Sequence, residues 1–436
     1  MKLRITERDW SDLRAQLFAR TDLETAGLML VESAGAGVAA TAVVREAFAL
    51  PETAYIIRHG DQLSVDPVAL NRLTRPARDC GWGVFTIHTH PGAQRAWFSR
   101  ADDAGDARLM PALACQMPDA LHGSLVTVDS GDVAARWFTD GTFREACLHV
   151  VGRTIEVPRT PAGNRETPFA RQELALGPAG QARLRNAKIG IVGLGGIGSL
   201  VSMQLAHLGV GQLVLLDGDH IEESNLSRIV GATRQDIGVT KVEVAARYAR
   251  GIGFTRVETH AVSLAAENEH LMADCDLIVS CVDLQTPRAI LNRIAYRFHI
   301  PVVDLGTVFR ISASGAIVSD AGRVVVIGPG RPCLSCWGHI DPHALRNEAL
   351  DAGEREHQER DGYIEGAVVA QPSVIGFNTL VAGAGATEIM RILTGFGGVD
   401  RPPLRLAVSF KDGTVGRNSL VVAGTCRICG GSRTAA

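Results

Sequence analysis

A glycine-rich run between an apolar strand and a helix limits the folds open to this chain more than any other feature. Residues 193–199 read GLGGIGS and follow the apolar segment Lys188–Val192 directly. Beyond them strands alternate with helices, the strands being predicted at 212–216, 256–263 and 276–282 and the helices at 197–208, 240–250 and 287–298. Regular alternation of this kind predicts a parallel, doubly wound α/β sheet in the second half of the chain.

The same run predicts a nucleotide site. Its glycines allow a tight turn and bring the N–H groups of the helix close to a phosphate. They are Gly193, Gly195, Gly196 and Gly198. Asp217 ends the next strand, where a carboxylate can accept hydrogen bonds from ribose hydroxyls. On these residues alone the site is typical of an NAD or FAD binder, and a glycine turn without a ligand is the alternative.

Charged residues further along the chain favour ATP over a dinucleotide. Arg228, Lys241 and Asp283 follow in order, and Asp283 ends the strand segment DLIVSCVD. An enzyme that attacks the α-phosphate of ATP needs cations that neutralise the phosphoryl oxygens. A carboxylate at the carboxyl end of a parallel strand can hold Mg²⁺ on the phosphates. Each residue alone is more often a solvated surface group, so the prediction of an ATP and Mg²⁺ site depends on their joint pattern.

The order of these motifs resembles the ThiF/MoeB family, which includes the ubiquitin-activating enzymes. The resemblance covers residues 169 to 431 and also includes LLDGD at 215–219, SNLSR at 224–228 and DIGVTK at 236–241. It implies a Rossmann-like adenylyltransferase domain. The residues that it implies for nucleotide binding, beside the glycines, are Asp217, Asp219, Asn225, Arg228, Lys241 and Asp283.

The resemblance also implies catalytic roles and a homodimer. Asp217 would bind ribose, Arg228 and Lys241 would contact the triphosphate with help from Asn225, and Asp283 would hold Mg²⁺. In that family the residue matching Arg171 reaches into the ATP site of the neighbouring subunit. The implied catalytic residues of this half are Arg171, Arg228, Lys241 and Asp283.

Two CxxC pairs predict a structural metal site. Cys333 pairs with Cys336, and Cys426 pairs with Cys429. Four thiolates at this spacing close a tetrahedral Zn²⁺ site with no open position, and four buried thiols without a metal are the alternative. The ThiF/MoeB resemblance implies zinc at the same pairs, as a Cys₄ knuckle.

A second group of metal-binding side chains lies in the first half of the chain. His88-Thr89-His90-Pro91 follows a predicted strand, and Ser99 and Asp102 come shortly afterwards. Histidines two residues apart on an extended segment point to the same side. With an acidic ligand from the next helix they would form a three-ligand site that keeps one position open, which is typical of catalytic zinc. Two surface histidines in a loop are the alternative.

The HTHP and SxxD pattern is the signature of the JAMM metallopeptidases of the JAB/MPN family, and the resemblance spans residues 5–145. It implies that His88, His90 and Asp102 bind zinc, although Asp103 beside Asp102 leaves the choice of carboxylate open. Glu24 would act as general base on the attacking water. Ser99 would stabilise the oxyanion.

The first half mixes strands and helices without strict alternation, which indicates an α/β or α+β sandwich. Strands are predicted at 26–31, 55–57, 84–87 and 125–128, and helices at 7–20 and 66–79. Residues 156–168 contain three prolines and no periodicity, which is typical of a linker. The predicted boundaries are therefore 1–155 for the JAB/MPN domain, 156–168 for the linker and 169–436 for the ThiF/MoeB domain.

Composition excludes several other classes of protein. The 44 Lys and Arg against 47 Asp and Glu give a net charge of −3, which removes the electrostatic case for binding nucleic acid. The first ten residues, MKLRITERDW, contain no signal peptide. The nearly uncharged stretch 366–387 contains Gln371, Pro372 and Asn378 and is predicted as helix and loop, not as a membrane span. Nine cysteines without an export signal indicate a cytoplasmic protein that uses them for metal binding or catalysis.

Together these features predict a bifunctional enzyme. Its second half would adenylate the C-terminal glycine of a ubiquitin-like protein, and its zinc peptidase would process or remove that protein. Two contexts are open: a bacterial ubiquitin-like conjugation system with a conjugating enzyme as partner, or activation of a sulfur carrier for thiocarboxylate formation. A non-catalytic scaffold is a third interpretation. Residues 337–425 contain no cysteine, which predicts an acyl-adenylate or oxyester product rather than a thioester on this chain.

Overall fold

The computed structural model describes residues 1–34, 41–60, 62–158, 167–312, 317–351, 353–354, 372–398, 404–422 and 424–430. The chain divides into two compact units, Met1–Pro161 and Ala162–Ala436. Residues 159–166 of the predicted linker and residues 366–371 of the predicted apolar stretch lie outside the described ranges.

The first unit consists of short strands and four helices in its described part. Its strands are β1 (Lys2–Thr6), β2 (Ala26–Ser33), β3 (Thr41–Ala49), β4 (Tyr55–Arg58), β5 (Leu63–Val65), β6 (Gly83–Thr89), β7 (His122–Thr127), β8 (Val133–Thr139), β9 (Thr142–Glu145), β10 (Cys147–Val151) and β11 (Ile155–Glu156). Its helices are α1 (Glu7–Leu17), α2 (Pro67–Leu73), α3 (Arg75–Cys80) and α4 (Arg100–Gln116).

A mixed sheet is the centre of this unit. Its strand order is β11-β10-β1-β3-β2-β6-β7-β8-β9, while β4 and β5 pair separately. Successive residues of β2 face opposite sides: Met29 packs with Leu13 of α1, whereas Leu30 packs with Met110 of α4. Helices therefore cover both faces of the sheet, which is the α/β sandwich expected from the sequence.

One helix prediction in this unit is wrong, because two helices stand where the sequence predicts a single one. The sequence pattern over 66–79 predicts one helix, but the chain forms α2 and α3, which meet at Thr74. Pro76 has no N–H to donate to the carbonyl of Arg72, so the helical hydrogen bonds are interrupted there, and proline is well tolerated in the first turn of the new helix. The N-terminal end agrees with the expectation, because Asp66 Oδ1 accepts a hydrogen bond of 3.0 Å from Val68 N.

The second unit contains the predicted alternation and an additional antiparallel part. Its strands are β12 (Lys188–Val192), β13 (Gln212–Leu216), β14 (Arg256–His260), β15 (Leu277–Ser280), β16 (Val302–Ile311), β17 (Ile317–Ile327), β18 (Leu404–Ser409) and β19 (Thr414–Ser419). Its helices are α5 (Ala170–Asn186), α6 (Gly196–His207), α7 (Lys241–Ile252), α8 (Gln285–Arg297), α9 (Pro342–Glu348) and α10 (Ile375–Thr394).

Its eight described strands form one sheet in the order β14-β13-β12-β15-β16-β17-β18-β19. The first five in this order are parallel, and β17, β18 and β19 are antiparallel. The chain moves outward in one direction from β12 to β14 and in the other from β15 to β16. The carboxyl ends of β12 and β15 therefore border the crevice where doubly wound sheets bind ligands.

Apolar burial fixes the helices on this sheet. The side chains of Ile189, Leu213 and Leu277 are fully buried in the parallel strands. Helix α10 packs against α5, α6 and β16, with Val381 and Ile389 fully buried. Each such side chain contributes about 1.5–3 kcal/mol to folding. None of the helices in the described ranges has the length and apolar character of a membrane span.

Candidate active sites

The two histidines of the first unit meet one carboxylate at the end of β6. His88 Nε2 lies 3.1 Å from Asp102 Oδ1, and His90 Nε2 lies 3.5 Å from Asp102 Oδ2. The two Nε2 atoms are 3.2 Å apart. All three side chains are largely buried, so the structure brings together the three ligands that the sequence predicted for the first metal site.

A helix cap holds Asp102 in place. Ser99 is the N-cap of α4: its hydroxyl accepts a 3.2 Å hydrogen bond from Asp102 N, and Asp102 Oδ2 accepts a 2.6 Å bond from Ser99 N. Burial alone would raise the pKa of Asp102, but the bonds to His88 and His90 outweigh burial and hold that pKa far below its usual range. The carboxylate is therefore ionised at the point where a cation would sit.

Glu24 approaches the same cluster from the segment before β2. Its Oε1 lies 4.0 Å from His90 Nε2, and its side chain is 13% exposed. The backbone is held on both sides, since Glu24 N donates to His59 O and Arg58 Nε donates to Glu24 O. Glu24 thus lies next to the three converging ligands but is not one of them.

The structure separates the two neighbouring aspartates. Asp103 turns away from the histidines, and its Oδ1 accepts a 2.6 Å bond from Arg136 Nη1. Arg136 also donates to Asp106 and stacks 3.7 Å from the ring centroid of Phe98. Arg136 therefore fastens α4 to β8 through Asp103 and Asp106, while Asp102 faces the histidines.

The donor set fits zinc. One ligand atom from each of His88, His90 and Asp102 lies within 4.8 Å of the others, and two imidazoles with one carboxylate are common catalytic zinc ligands. Nδ1 of His90 is buried without a hydrogen-bond partner in the described part of the chain. Trp97 packs edge-on against His90 at 4.9 Å between ring centroids. The three side chains thus supply three ligands, and Glu24 is the next carboxylate beside them.

In the second unit, glycine is required at two positions of the loop between β12 and α6. Gly193 has φ +88°, in the left-handed region, and an added Cβ would lie 2.7 Å from Cys281 O. A Cβ at Gly198 would lie 1.9 Å from Gly193 O. The loop is thereby tight enough for the first N–H groups of α6 to point into the crevice.

Asp217 ties this loop to β13. Its Oδ2 accepts a 2.6 Å hydrogen bond from Leu194 N, and its Oδ1 accepts a 2.8 Å bond from Asp219 N. Asp217 is buried, and burial raises its pKa above the ordinary value. Each carboxylate oxygen keeps a further lone pair for a ribose hydroxyl.

The other residues predicted to contact the nucleotide lie on the segment after β13. Each of them is held by a different contact within the protein. Lys241 Nζ, at the start of α7, forms a 2.7 Å ion pair with Asp219, so Asp219 contacts the lysine in this structure. The side chain of Asn225 is buried and turned back on its own turn, where its Oδ1 accepts from Glu222 N. Arg228 Nη1 donates to Ser224 O at 2.7 Å.

Two predicted residues stand apart from these contacts. Asp283 follows β15 at the carboxyl edge and is exposed. Arg171 is exposed in the first turn of α5 and makes no hydrogen bond or ion pair with the described residues. The structure of one chain therefore does not bring Arg171 into the group formed by Asp217, Asp219 and Lys241.

The sequence analysis missed a buried ion cluster beside this crevice. Asp304 of β16 is fully buried and accepts from Ser280, while Arg288 and Arg323 lie 3.3 and 3.2 Å from its carboxylate. Arg288 also donates to Val282 O, next to Asp283. The available signal was a single aspartate inside the apolar segment PVVDLG, since an unpaired charge is rarely buried.

The four cysteines converge as predicted for a closed site. Cys333 Sγ lies 3.7 Å from Cys336 Sγ and 3.7 Å from Cys426 Sγ, and Cys336 Sγ lies 3.6 Å from Cys429 Sγ. Zn–S bonds of about 2.3 Å in a tetrahedron separate the sulfurs by about 3.8 Å, so the donor set fits Zn²⁺. Burial raises the pKa of the Cys426 thiol. Hydrogen bonds from the backbone N–H groups of Cys429 and Ile428 outweigh burial and lower that pKa to about 6.

Comparison with protein families assigns one family to each unit. The ThiF family matches residues 169–417. The family described as prokaryotic homologs of the JAB domain matches residues 6–139. The two matches follow the order of the two units along the chain.

Individual relatives match part of the chain. The SAMP-activating enzyme E1 of Haloferax volcanii is 34% identical over 163 residues, which are 37% of this chain and 57% of that protein. The adenylyltransferase and sulfurtransferase uba4 of Aspergillus fumigatus is 32% identical over 229 residues, covering 51% of this chain and 44% of its own. The chain thus spans about half the length of these curated relatives.

The solved structures support the fold. E. coli MccB, crystallised with MccA-N7isoASN, is 21% identical and aligns with a TM-score of 0.50 over 63% of this chain and 77% of its own. At that identity the likeness concerns the fold of the sheet and its helices, and it carries no substrate with it.

Proposed function

The chain belongs to the ThiF family, and on that premise we propose that Ala162–Ala436 is an adenylyltransferase that activates the C-terminal glycine of a ubiquitin-like protein with ATP. The observation that carries this proposal is the crevice at the carboxyl ends of β12, β13 and β15. There the glycine loop, Asp217 and Lys241 are joined by direct hydrogen bonds and one ion pair.

The reaction assigns a task to each of these groups. A carboxylate oxygen of the terminal glycine attacks the α-phosphorus, the bond to the β-phosphate oxygen breaks, and pyrophosphate leaves with that electron pair. The N–H groups at the start of α6 bind phosphate oxygens, and Asp217 binds the ribose. Lys241 and Arg228 neutralise negative charge on the triphosphate, for which each must leave its present acceptor, Asp219 and Ser224 O. Asp283 would hold Mg²⁺, which supplies further neutralisation of the phosphates.

The exposed position of Arg171 favours a dimeric enzyme. Within one chain it has no partner among the described residues. An exposed guanidinium at the start of α5 suits a contact with the triphosphate in a second subunit. Sedimentation analysis of the protein and of Arg171→Ala, together with the activity of the variant mixed with Asp283→Asn, tests this contact by complementation between subunits.

Exchange of labelled pyrophosphate into ATP tests adenylation. With a carrier that ends in Gly-Gly, exchange should require Mg²⁺. Asp283→Asn should lower the rate by at least about 10²-fold, because the phosphates lose their cation. Asp274→Asn is the matched control, since Asp274 pairs with Lys188 at the amino end of β12, away from the crevice. Equal exchange rates in Asp283→Asn and in the parent would contradict the assignment of Asp283.

Two contexts are open for this activity. A bacterial ubiquitin-like conjugation system, in which a conjugating enzyme accepts the activated protein, is the context that we propose first. Activation of a sulfur carrier is the second, because one relative is named an adenylyltransferase and sulfurtransferase. Transfer of the activated carrier to a conjugating enzyme or to a sulfide donor, followed by intact mass, separates the two.

For the first unit we propose hydrolysis of the bond after the carrier's terminal glycine. His88, His90 and Asp102 would hold zinc, which as a Lewis acid lowers the pKa of water. Glu24, 4.0 Å from His90 Nε2, is placed to take the proton of the attacking water and to pass it to the leaving amine. The Ser99 hydroxyl accepts from Asp102 N, so its own proton remains available for the oxyanion.

A fluorogenic amide of Gly-Gly tests this second activity. Glu24→Gln should retain zinc but lower hydrolysis by about 10²–10⁴-fold, since the general base is lost. Asp102→Asn should lose zinc, whereas Asp103→Asn is the matched control with unchanged metal content. Parent-like hydrolysis by Glu24→Gln would show that the proposed base is wrong.

A further inference from the structure

A row of directly paired residues, polar except for Val325, crosses one face of the sheet in the second unit. The strand ladder pairs Ser280 with Asp304, Asp304 with Val325 and Val325 with Arg405. Directly paired residues point to the same face, so this row runs from β15 to β18. Arg323, two residues from Val325 along β17, lies on that face as well. The row begins at the carboxyl end of β15, where the proposed adenylation takes place.

The charges in this row do not cancel. Asp304 is the carboxylate that pairs with Arg288 and Arg323. Arg405 forms no ion pair with a described carboxylate, and its neighbour His339 cannot supply one. Burial, together with Arg323, Arg405 and Arg288, lowers the pKa of His339 to about 4, so this ring is neutral near pH 7. Asp304 thus serves two guanidinium groups, and the third, Arg405, is left without a carboxylate among the described residues.

Two buried donors in the same place lack an acceptor. Nε of Arg405 and Nε1 of Trp337 are buried without a hydrogen-bond partner in the part of the chain that the structure describes. The Arg405 guanidinium lies 5.8 Å from the Trp337 ring centroid, and its Nη1 lies 3.4 Å from His339 Nε2. Both residues are only half-buried, so a ligand can approach them. Because unpaired donors are costly, a ligand that brings acceptor oxygens here is favoured.

We infer that Arg405 and Trp337 form a subsite for an acidic side chain in the C-terminal tail of the carrier protein. This inference rests on the proposed adenylation by the same unit. The terminal carboxylate must reach the crevice beside Asp283. Because Asp304 and Val325 are fully buried, an extended tail that continues across this face to Arg405 would cross β16 and β17 at the partly exposed pair Gly306 and Arg323. Three strand spacings of about 4.8 Å amount to about 14 Å, which an extended chain covers in about four residues.

Synthetic peptides test the subsite without a known carrier. Octapeptides that end in Gly-Gly and carry an N-terminal fluorophore would contain one Glu, moved from the third to the seventh residue counted from the C-terminus. Matched peptides would carry Gln instead. Fluorescence anisotropy with the full chain gives their affinities without turnover, and pyrophosphate exchange with the same peptides measures adenylation separately.

Glu about four residues before the terminal carboxylate should bind at least about tenfold more tightly than Gln at that position. Arg405→Gln should abolish this preference, and Arg405→Lys should retain part of it. Arg417→Gln is the matched control, because Arg417 pairs with Leu406 and so points to the opposite face.

Equal affinities for Glu and Gln at every position would overturn the subsite, as would a preference that survives in Arg405→Gln. A Glu preference that depends on Arg405, in the absence of any exchange activity, would support the subsite and count against the proposed adenylation. Exchange activity without a Glu preference would support the proposed adenylation and count against the subsite.

Discussion

At the scale of single residues, His339 makes the stability of the second unit depend on pH. Burial and the guanidinium groups of Arg323, Arg405 and Arg288 lower the pKa of His339 to about 4, against the attraction of Asp304. An unfolded histidine titrates near 6.5. Between these two values the unfolded chain binds more protons than the folded chain, so the free energy of unfolding falls as the pH is lowered from 6.5 to 4. Above pH 6.5 both forms are neutral and the effect vanishes.

His339→Gln should therefore remove part of the acid sensitivity. The parent should lose about 1–3 kcal/mol more of its free energy of unfolding than the variant between pH 7 and pH 4.5. Urea unfolding at both values measures the difference, and carboxylates that titrate in the same range cancel in the comparison. Identical pH dependence in the two proteins would mean that folding does not shift the pKa of His339.

Single residues also show which parts of the site could be predicted from the sequence and which could not. The spacing of His88, His90 and Asp102 was sufficient to predict that they meet, because a strand end and a helix cap fix their directions. The choice between Asp102 and Asp103 was not predictable, since it depends on Arg136 of β8, which lies far away in the chain. The Asp304 cluster was missed for the same reason, because its partners come from α8 and β17.

At the scale of elements, the junction of β12 and α6 should tolerate alanine at one glycine and reject it at another. An added Cβ at Gly198 would lie 1.9 Å from Gly193 O, so Gly198→Ala must displace the loop. At Gly195, with φ −70°, an added Cβ would meet nothing within 4 Å. Gly198→Ala should lower the free energy of unfolding by at least about 2 kcal/mol and abolish ATP binding.

Gly195→Ala is the control, with an expected change in stability below about 0.5 kcal/mol. Thermal unfolding and equilibrium binding of ATP measure both variants. If Gly198→Ala proved as stable as the parent and bound ATP equally well, the tight packing of this loop could not be what positions α6.

Elements were predictable where their burial is periodic and less so elsewhere. The apolar strands β12, β13 and β15 and the helices α6, α7 and α8 were all predicted, because each buries a continuous run or one face. The antiparallel strands β17, β18 and β19 of the second unit were not predicted. All six residues of β19 are exposed, so no apolar alternation marks it in the sequence.

At the scale of the whole molecule, loss of zinc from the two metal sites should have different effects on folding and activity. The Cys₄ cluster joins segments that are 93 residues apart, so its zinc should contribute directly to the folding of the second unit. The zinc of the first unit would sit on a preformed sheet end and cap. Elemental analysis should find two zinc ions per chain.

Mild chelation should remove one ion and the hydrolytic activity while leaving pyrophosphate exchange intact. Stronger chelation, or Cys429→Ser, should make the second unit sensitive to proteolysis, with the first unit as the internal control. One zinc per chain, or simultaneous loss of both activities at every chelator concentration, would contradict this division.

The separation of the two cysteine pairs has a consequence for synthesis on the ribosome. Cys333 and Cys336 emerge before α10, β18 and β19, and Cys426 and Cys429 emerge after them. At about 5–20 residues per second, the first pair waits on the order of 5–20 s for the second. During that interval two thiols of the nascent chain are open to oxidation or to the wrong metal. We therefore expect the yield of folded protein to depend on the supply of zinc while translation is under way.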